Sequence, residues 1–183
     1  MTIRQATRDD TEALRALYDE FHAFHVRGVP GHLRLPGLGE ADADEFDRGI
    51  ESIVESDEAT LLVAESGDRL VGLAELYLDP PRESPFVVPR RTAKLQSLLV
   101  TEDLRGTGLG RALVEAGERW ATARGADEIT AKTWEFPEGP LVFYESLGYR
   151  TLSRELVKAL PQRETPEGTG LQGDAAVRSP ESL

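Results

Sequence analysis

The stretch Leu95–Val114, LQSLLVTEDLRGTGLGRALV, has three parts with different residue patterns. Its apolar start predicts a strand ending near Val100, and glycines then follow at alternate positions 106, 108 and 110. An apolar stripe from Leu109 predicts a helix to about Arg124. Glycine permits close approach of a ligand, and the free amides that open a helix attract anions. The stretch therefore predicts a strand–turn–helix unit that holds a pyrophosphate, with Arg105 and Arg111 beside it.

Two common phosphate-binding patterns do not fit this turn. The P-loop pattern with its Gly-Lys-Ser/Thr is absent, and the third glycine of a dinucleotide fingerprint would fall at Arg111. Two alternatives stay open from the residues alone. The glycines could simply cap a helix against a sheet, or the chain could bind a nucleotide on another fold.

The rest of the chain alternates between strand and helix patterns. Helical spacing predicts helices ending at Gly28, within residues 40–58, and over 140–147. Short apolar runs predict strands at residues 2–6, 59–64, 69–78, 93–100 and 128–134, and a last strand or pair of strands over 149–160. We expect a mixed α/β (α+β) domain over 1–160, with a mostly antiparallel sheet of six to seven strands and about four helices. Residues 161–183 are rich in Pro and Gly and predict a flexible tail.

Composition narrows the classes of function. The 183 residues carry 21 Lys+Arg against 33 Asp+Glu, a formal net charge of -12, which disfavours nucleic-acid binding and favours a cationic partner. The chain has no cysteine, which excludes disulfides, thiolate metal sites and a thiol nucleophile. No apolar run approaches the ~20 residues of a membrane span. We expect a cytoplasmic protein without membrane contact, metal or nucleic acid.

Two motifs resemble one family. Val100-x4-Arg105-Gly106-Thr107-Gly108-Leu109-Gly110 resembles motif A of the GCN5-related N-acetyltransferases (GNAT), and Phe143–Tyr149, FYESLGY, is similar to the family's downstream motif. The resemblance covers roughly residues 60–158. Pro137 and Pro140 stand where relatives often have Asn and Ala, so no cofactor contact is assigned to Pro137.

The resemblance implies acetyl-CoA as cosubstrate. The glycine turn would hold its pyrophosphate, and the strand edge would bond its pantetheine arm beside a neighbouring strand that splays away. The residues implied in cofactor binding are Leu98, Leu99, Val100, Arg105, Gly106, Thr107, Gly108, Leu109, Gly110, Arg111 and Tyr144.

Acyl transfer to an amine needs a base and an acid. An aliphatic amine has a pKa near ~10.4 and must lose a proton before it attacks. Glu75 lies among apolar residues of its strand, where burying a carboxylate carries a free-energy cost, and is our candidate base. Tyr144 aligns with a tyrosine that relatives place beside the sulfur, and is our candidate acid. The structural alternatives are a Glu75 that is solvated on an open face or salt-bridged to Arg or Lys across the sheet, and a Tyr144 that packs in the core.

The acceptor side is less defined by sequence. We expect His25, Glu75, Ser97, Trp134 and Glu135 to line it, and a small-molecule or peptide amine to occupy it. The family resemblance is compatible with a monomer or a homodimer. The alternative function is a non-catalytic acyl-CoA-binding sensor or scaffold. The enzyme and the sensor would both bind CoA, and only the enzyme would release the CoA thiol in the presence of an amine.

Overall fold

The computed structural model describes residues 1–35 and 43–160. The chain divides into two compact units, the first being Met1–Arg150 and the second beginning at Thr151. Residues 161–183, where we expected the tail, lie outside the described residues, and the domain boundary expected at residue 160 stays a prediction.

The first unit contains five strands and four α-helices among its described residues. In chain order these are β1 (Thr2–Gln5), α1 (Thr11–Gly28), α2 (Ala43–Val54), β2 (Ala59–Ser66), β3 (Arg69–Asp79), β4 (Thr92–Val100), α3 (Leu109–Ala123), β5 (Glu128–Ala131) and α4 (Leu141–Ser146). The strands form one sheet in the order β1-β2-β3-β4-β5, with every pair antiparallel except β4 and β5. The mixed, mostly antiparallel architecture is confirmed.

The sheet separates two apolar clusters. One cluster lies on the α3 side and includes Leu76, Leu113 and Trp120, and α4 joins it through Tyr144. The other lies on the side of α1 and α2 and includes Leu14, Ile50 and Leu73. Each helix buries one apolar stripe because its apolar residues recur at three- and four-residue spacing. The layers therefore follow directly from the periodicity of the sequence.

Gly117 allows α3 to lie close to the sheet. A Cβ built at Gly117 would lie 2.8 Å from Cδ2 of Leu76 on β3, closer than carbon atoms normally approach. Glycine within a helix costs about 1 kcal/mol relative to alanine. The burial of Leu76 and Trp120 in the same cluster offsets this cost. Gly117 therefore permits the close packing of α3 against β3.

Two strand predictions were wrong. The fifth strand ends at Ala131 rather than Trp134, and residues 151–160 form no helix or strand, so the described sheet has five strands instead of six to seven. The apolar residues Leu152, Leu156, Val157 and Leu160 are four, one and three positions apart, and all are exposed. A half-buried strand requires a spacing of two, and this segment does not keep it.

None of the helices in the described parts of the chain is long and apolar enough to cross a membrane.

Candidate active site

The turn between β4 and α3 is open above its glycines. Gly106 and Gly108 adopt positive φ angles of 78° and 92°, in the left-handed region that side chains rarely enter, and Gly108 is the N-cap of α3. A Cβ at either position would meet no atom within 4 Å. The two glycines therefore shape the backbone and leave free space over the helix N-terminus.

Five backbone amides at this turn are free. The amides of Arg105, Thr107 and Ala112 donate to the carbonyls of Glu102, Leu104 and Gly108. Within residues 1–35 and 43–160, no protein acceptor takes the amides of Gly106, Gly108, Leu109, Gly110 and Arg111. Unpaired amides at a helix N-terminus carry partial positive charge and bind anions. The turn has the open space and the donors that a diphosphate requires.

The two arginines that flank the turn differ in their side-chain contacts. Arg105 donates from Nε to the Val100 carbonyl at 3.1 Å and from a terminal nitrogen to Glu20 at 2.9 Å, and its guanidinium lies 5.3 Å from the centre of the Phe24 ring. Arg111 is exposed, and the one hydrogen bond that its side chain makes to described residues, to the Ser146 carbonyl, is long at 3.5 Å. Arg111 is therefore the flanking cation that can turn toward a phosphate. Phosphate binding by Arg105 stays a prediction.

The second half of β4 has a free edge beside the turn. The parallel pair of β4 and β5 extends only from Thr92 to Leu95, opposite Glu128–Ala131. Leu98, Leu99 and Val100 pair with β3 on one side and with no strand on the other within the described chain. The two strands therefore separate, which the residue pattern alone did not show, and the free edge adjoins the glycine turn.

A β-bulge at Gln96 changes which face each β4 residue occupies. Glu75 pairs with Ser97 but Leu76 pairs with Leu95, so Gln96 has no partner across β3. An extra residue reverses the alternation of the strand. Leu95 consequently joins the cluster on the α3 side, whereas Leu99 joins the cluster beneath α1 and α2. Ser97 faces the same side as Leu99 and reaches Glu75.

Glu75 is a buried carboxylate held by three hydroxyl groups. Tyr18 and Ser97 donate to its Oε2 at 2.8 and 2.6 Å, and Tyr77 donates to its Oε1 at 2.6 Å. Glu75 is 8% exposed, and no Lys, Arg or His side chain in the described residues forms an ion pair with it. Three donors compensate much of the lost hydration of a buried carboxylate. The salt-bridged alternative for Glu75 is therefore not what the described structure contains.

Sequence reasoning assigned no role to the two tyrosines on Glu75. Tyr77 lies two positions along the same strand face, so the period-two rule could have placed it beside Glu75. Tyr18 is on α1, 57 positions away in sequence, and only the packing of α1 on the sheet brings it there. No local pattern contains that contact.

A cavity of about 760 Å³ adjoins Glu75, between α1, α2 and the ends of β3 and β4. Its lining includes Tyr18, His22, Phe46, Ile53, Glu75 and Tyr77. The volume is in the range of small-molecule sites, about 300–1,000 Å³. Glu75 thus lies at the wall of a space that a small acceptor could fill.

Of the five residues expected on the acceptor side, only Glu75 lines this cavity, and four do not, namely His25, Ser97, Trp134 and Glu135. His25 contacts the Phe21 carbonyl through Nδ1 at 2.9 Å and packs among aromatic rings. Trp134 is 41% exposed, with its ring 6.0 Å from that of His32. The structure brings Ser97 to Glu75, and it places His22 rather than His25 at the cavity.

Tyr144 lies on α4 and is buried in the cluster on the α3 side of the sheet. Its neighbour Phe143 would be 3.4 Å from a Cβ at Gly110, so α4 packs directly on the glycine turn. Tyr144 is 8% exposed, and burial raises its pKa to about 12. No hydrogen bond to its hydroxyl is present among the described residues. The phenol therefore keeps its proton at neutral pH and has it available for a bound group.

All four tyrosines of the chain should resist ionisation in the folded state. Burial raises the pKa of Tyr18, Tyr77, Tyr144 and Tyr149, and the charge of Glu75 adds to the effect at Tyr18. A raised pKa means that the folded state holds its protons above pH ~10, the ordinary tyrosine value. The contribution of each protonated tyrosine to the free energy of unfolding is complete below pH ~10 and is lost as the pH rises toward the folded-state pKa.

An alkaline titration followed by tyrosinate absorbance tests this expectation. In the folded protein we expect no tyrosinate near pH 10, and then a cooperative rise that coincides with loss of far-ultraviolet circular dichroism. The unfolded chain in guanidinium should titrate near pH ~10 as the control. One tyrosine that ionises reversibly near pH 10 with the fold intact would contradict the burial seen here.

A mixed sheet with a glycine turn of free amides, a separating parallel pair and a buried carboxylate at a cavity has the features of a transferase that binds an anionic carrier. The model of the acetyltransferase (GNAT) family matches residues 12–149. The chain belongs to this family.

Relatives and solved structures agree with that family. The uncharacterised N-acetyltransferase YhfO of Bacillus subtilis (strain 168) is 26% identical over 149 residues, 81% of this chain and 89% of YhfO. The acetyl transferase GW6a of Oryza sativa subsp. japonica is 32% identical over 108 residues, 53% of this chain and only 25% of GW6a. A mutant of the BH1408 protein from Bacillus halodurans superposes with a TM-score of 0.78 at 26% identity, over 88% of this chain and 100% of that chain. The aminoglycoside N-acetyltransferase AAC(6')-Iy with a CoA bisubstrate analogue shares the fold, with a TM-score of 0.64 at 20% identity over 88% of this chain and 98% of that chain.

Proposed function

We propose that this protein is an N-acetyltransferase that moves the acetyl group of acetyl-CoA to a primary amine by direct attack within a ternary complex. The observation that carries the proposal is the set of five free amides beneath open space at the N-terminus of α3. Acetyl-CoA is the cosubstrate, and it supplies an activated thioester. The complex of AAC(6')-Iy with a CoA bisubstrate analogue supports an amine as the acceptor.

The glycine turn would bind the diphosphate of acetyl-CoA. The amides from Gly106 to Arg111 are the donors, and the exposed side chain of Arg111 adds a charge-assisted bond. The free edge of Leu98, Leu99 and Val100 offers main-chain groups to the amides of the pantetheine arm. Since this edge begins where β5 separates from β4, the arm would follow β4 toward the bulge at Gln96.

Glu75 is the proposed base that accepts the proton of the acceptor ammonium. Its three hydroxyl donors fix both carboxylate oxygens in one orientation, with Tyr18 and Tyr77 acting as positioning residues. A carboxylate has about four acceptor sites, and three are taken here. The remaining site is on Oε1, which accepts only the Tyr77 hydroxyl. An ammonium in the cavity could donate there before it loses its proton.

Tyr144 is the proposed acid for the departing thiolate. Because burial raises its pKa to about 12, the phenol is fully protonated at the pH where acetylation would run. Its hydroxyl has no competing partner in the described chain, and α4 packs it beside the turn that would hold the cofactor. The acceptor ammonium loses two protons as its nitrogen bonds the acetyl carbon and the C–S bond breaks. Glu75 would take the first before attack, and the second would restore the Tyr144 phenol after Tyr144 has protonated the departing thiolate.

The test is CoA thiol release from acetyl-CoA in the presence and absence of primary amines. An N-acetyltransferase releases thiol in proportion to acetylated amine and does so slowly without amine. A sensor or scaffold would bind acetyl-CoA, measured by calorimetry, and release no thiol with any amine. A nucleotide-binding protein would instead bind ATP or NAD and leave acetyl-CoA unbound.

Tyr144→Phe should lower kcat about 100-fold and leave the Kd for CoA unchanged. The substitution removes only the proton donor, and general acid catalysis contributes about 10²–10⁴-fold. Steady-state assays of thiol release give kcat, and calorimetry gives the Kd for CoA. Tyr149→Phe is the matched control, because its ring lies 5.3 Å from that of Tyr144 and its hydroxyl is buried without a partner in the described chain. A Tyr144→Phe enzyme with full kcat would remove Tyr144 from the mechanism.

A further inference from the structure

The cavity beside Glu75 carries one negative charge that no cation of the described chain balances. Three acidic side chains line it, those of Glu58, Glu75 and Asp79. Arg91 donates to both oxygens of Glu58, at 2.9 and 2.6 Å, and Lys94 pairs with Asp79. Within residues 1–35 and 43–160, the partners of Glu75 are all neutral hydroxyls. The described lining therefore offers a single uncompensated carboxylate, which suits one ammonium group.

The walls around that carboxylate are largely apolar. Phe46, Ile50 and Ile53 of α2 line one side, and Ala59 and Leu78 of the sheet line the other. The lining also includes four further polar side chains without a carboxylate, namely His22, Ser52, Ser56 and Gln96. Burying a second charge or several hydroxyl groups against such walls without partners carries a free-energy penalty. An alkyl or aryl body gains free energy there through burial of its surface. The lining thus favours an acceptor that is polar at one end only.

We propose that the acceptor is a primary monoamine with an apolar body, the ammonium at Glu75 and the body against α2. This inference rests on the proposed acetyl transfer and adds the substrate class to it. The site selects against polyamines and polyhydroxylated amines, because a second polar group held against Phe46, Ile50 and Ile53 would lose its hydration, and Ser52 is the one hydroxyl that α2 adds to the lining.

Three amines with the same six-carbon chain test the class, namely hexylamine, 6-aminohexan-1-ol and 1,6-diaminohexane. They present the same primary amine and differ only in the group at the far end. We expect kcat/KM to fall in that order, with hexylamine at least about tenfold above the diamine in the thiol-release assay. If the diamine or the amino alcohol equals or exceeds hexylamine, the inference is overturned while acetyl transfer stands.

A substitution in the part of α2 that lines the cavity should change the preference for hexylamine over the diamine. Gly49 lines the cavity, and a Cβ there would meet no atom within 4 Å, so a side chain fits without repacking. Gly49→Asp adds a carboxylate to the apolar wall and should raise the diamine-to-hexylamine ratio of kcat/KM about tenfold. Gly49→Ala adds bulk without charge, and hexylamine should keep the highest kcat/KM of the three amines. An unchanged ratio in Gly49→Asp would contradict a body bound against α2.

Direct binding separates this inference from the proposed function. If no amine accelerates thiol release, the proposed function fails. The amine class can still be tested by binding, with calorimetric titration of hexylamine and of 1,6-diaminohexane into the CoA-loaded protein. Hexylamine binding at least about tenfold tighter than the diamine supports the site described here. Equal or weaker binding of hexylamine refutes it.

Discussion

Gly108→Val should reduce the affinity for CoA at least about 100-fold, equivalent to about 2.8 kcal/mol. Gly108 is the N-cap of α3 with φ of 92°, and the space above it is open. Valine at this angle is strained, and its branched side chain would occupy the space that the diphosphate needs. Both effects act at the amides that would bind the cofactor. Calorimetric titration with CoA measures the change.

Gly67→Val is the matched control for backbone strain. Gly67 also has a positive φ, 61°, and an open Cβ position, but it lies in the turn between β2 and β3. This variant should lose stability to a similar degree and keep its affinity for CoA. If a folded Gly108→Val protein binds CoA within threefold of the parent chain, the glycine turn does not hold the diphosphate.

Glu75→Gln should lower kcat/KM by about 10²–10⁴-fold without changing the Kd for CoA. The amide has nearly the shape of the carboxylate, so the hydroxyls of Tyr18, Tyr77 and Ser97 can rotate to keep their bonds. What it loses is the negative charge and the capacity to take a proton from an ammonium. The thiol-release assay with hexylamine gives kcat/KM.

Glu65→Gln is the control for the loss of one acid from the sheet. Glu65 lies at the far end of β2, opposite Leu70, and pairs with Arg4 at 3.0 Å. Its removal should leave kcat/KM within about twofold. Circular dichroism and thermal unfolding establish that both variants fold. A folded Glu75→Gln enzyme with the parental rate would show that another group or a water accepts the proton.

Elements with strong local signals were predicted well from the sequence. The hairpin of β2 and β3 was placed within two residues at each end, and Gly67 with its left-handed angle is the residue such a turn requires. The helix α3 begins at Leu109, as its apolar stripe and the preceding glycines indicated. In each case neighbouring residues alone carry the information, because periodicity and turn chemistry act over a few positions.

The candidate site was predicted only in part. The sequence predicted Glu75 and Tyr144 as single residues, and the structure shows the first bound by three hydroxyls and the second buried in the cluster on the α3 side. Tyr18 was missed, and His25 and Trp134 are not at the cavity. These positions depend on how α1 and the segment after β5 pack against the sheet, which no local pattern records.

The sequence by itself determined the strand–turn–helix unit and the two faces of the sheet, because glycine angles and apolar periodicity are local properties of the chain. Only the tertiary structure decided the surroundings of Glu75. The unmatched Gln96 reverses the alternation of β4 and brings Ser97 to Glu75, while α1 supplies Tyr18 from 57 positions away. A buried carboxylate is stable only where donors converge on it, and that convergence is a property of packed elements rather than of any one segment.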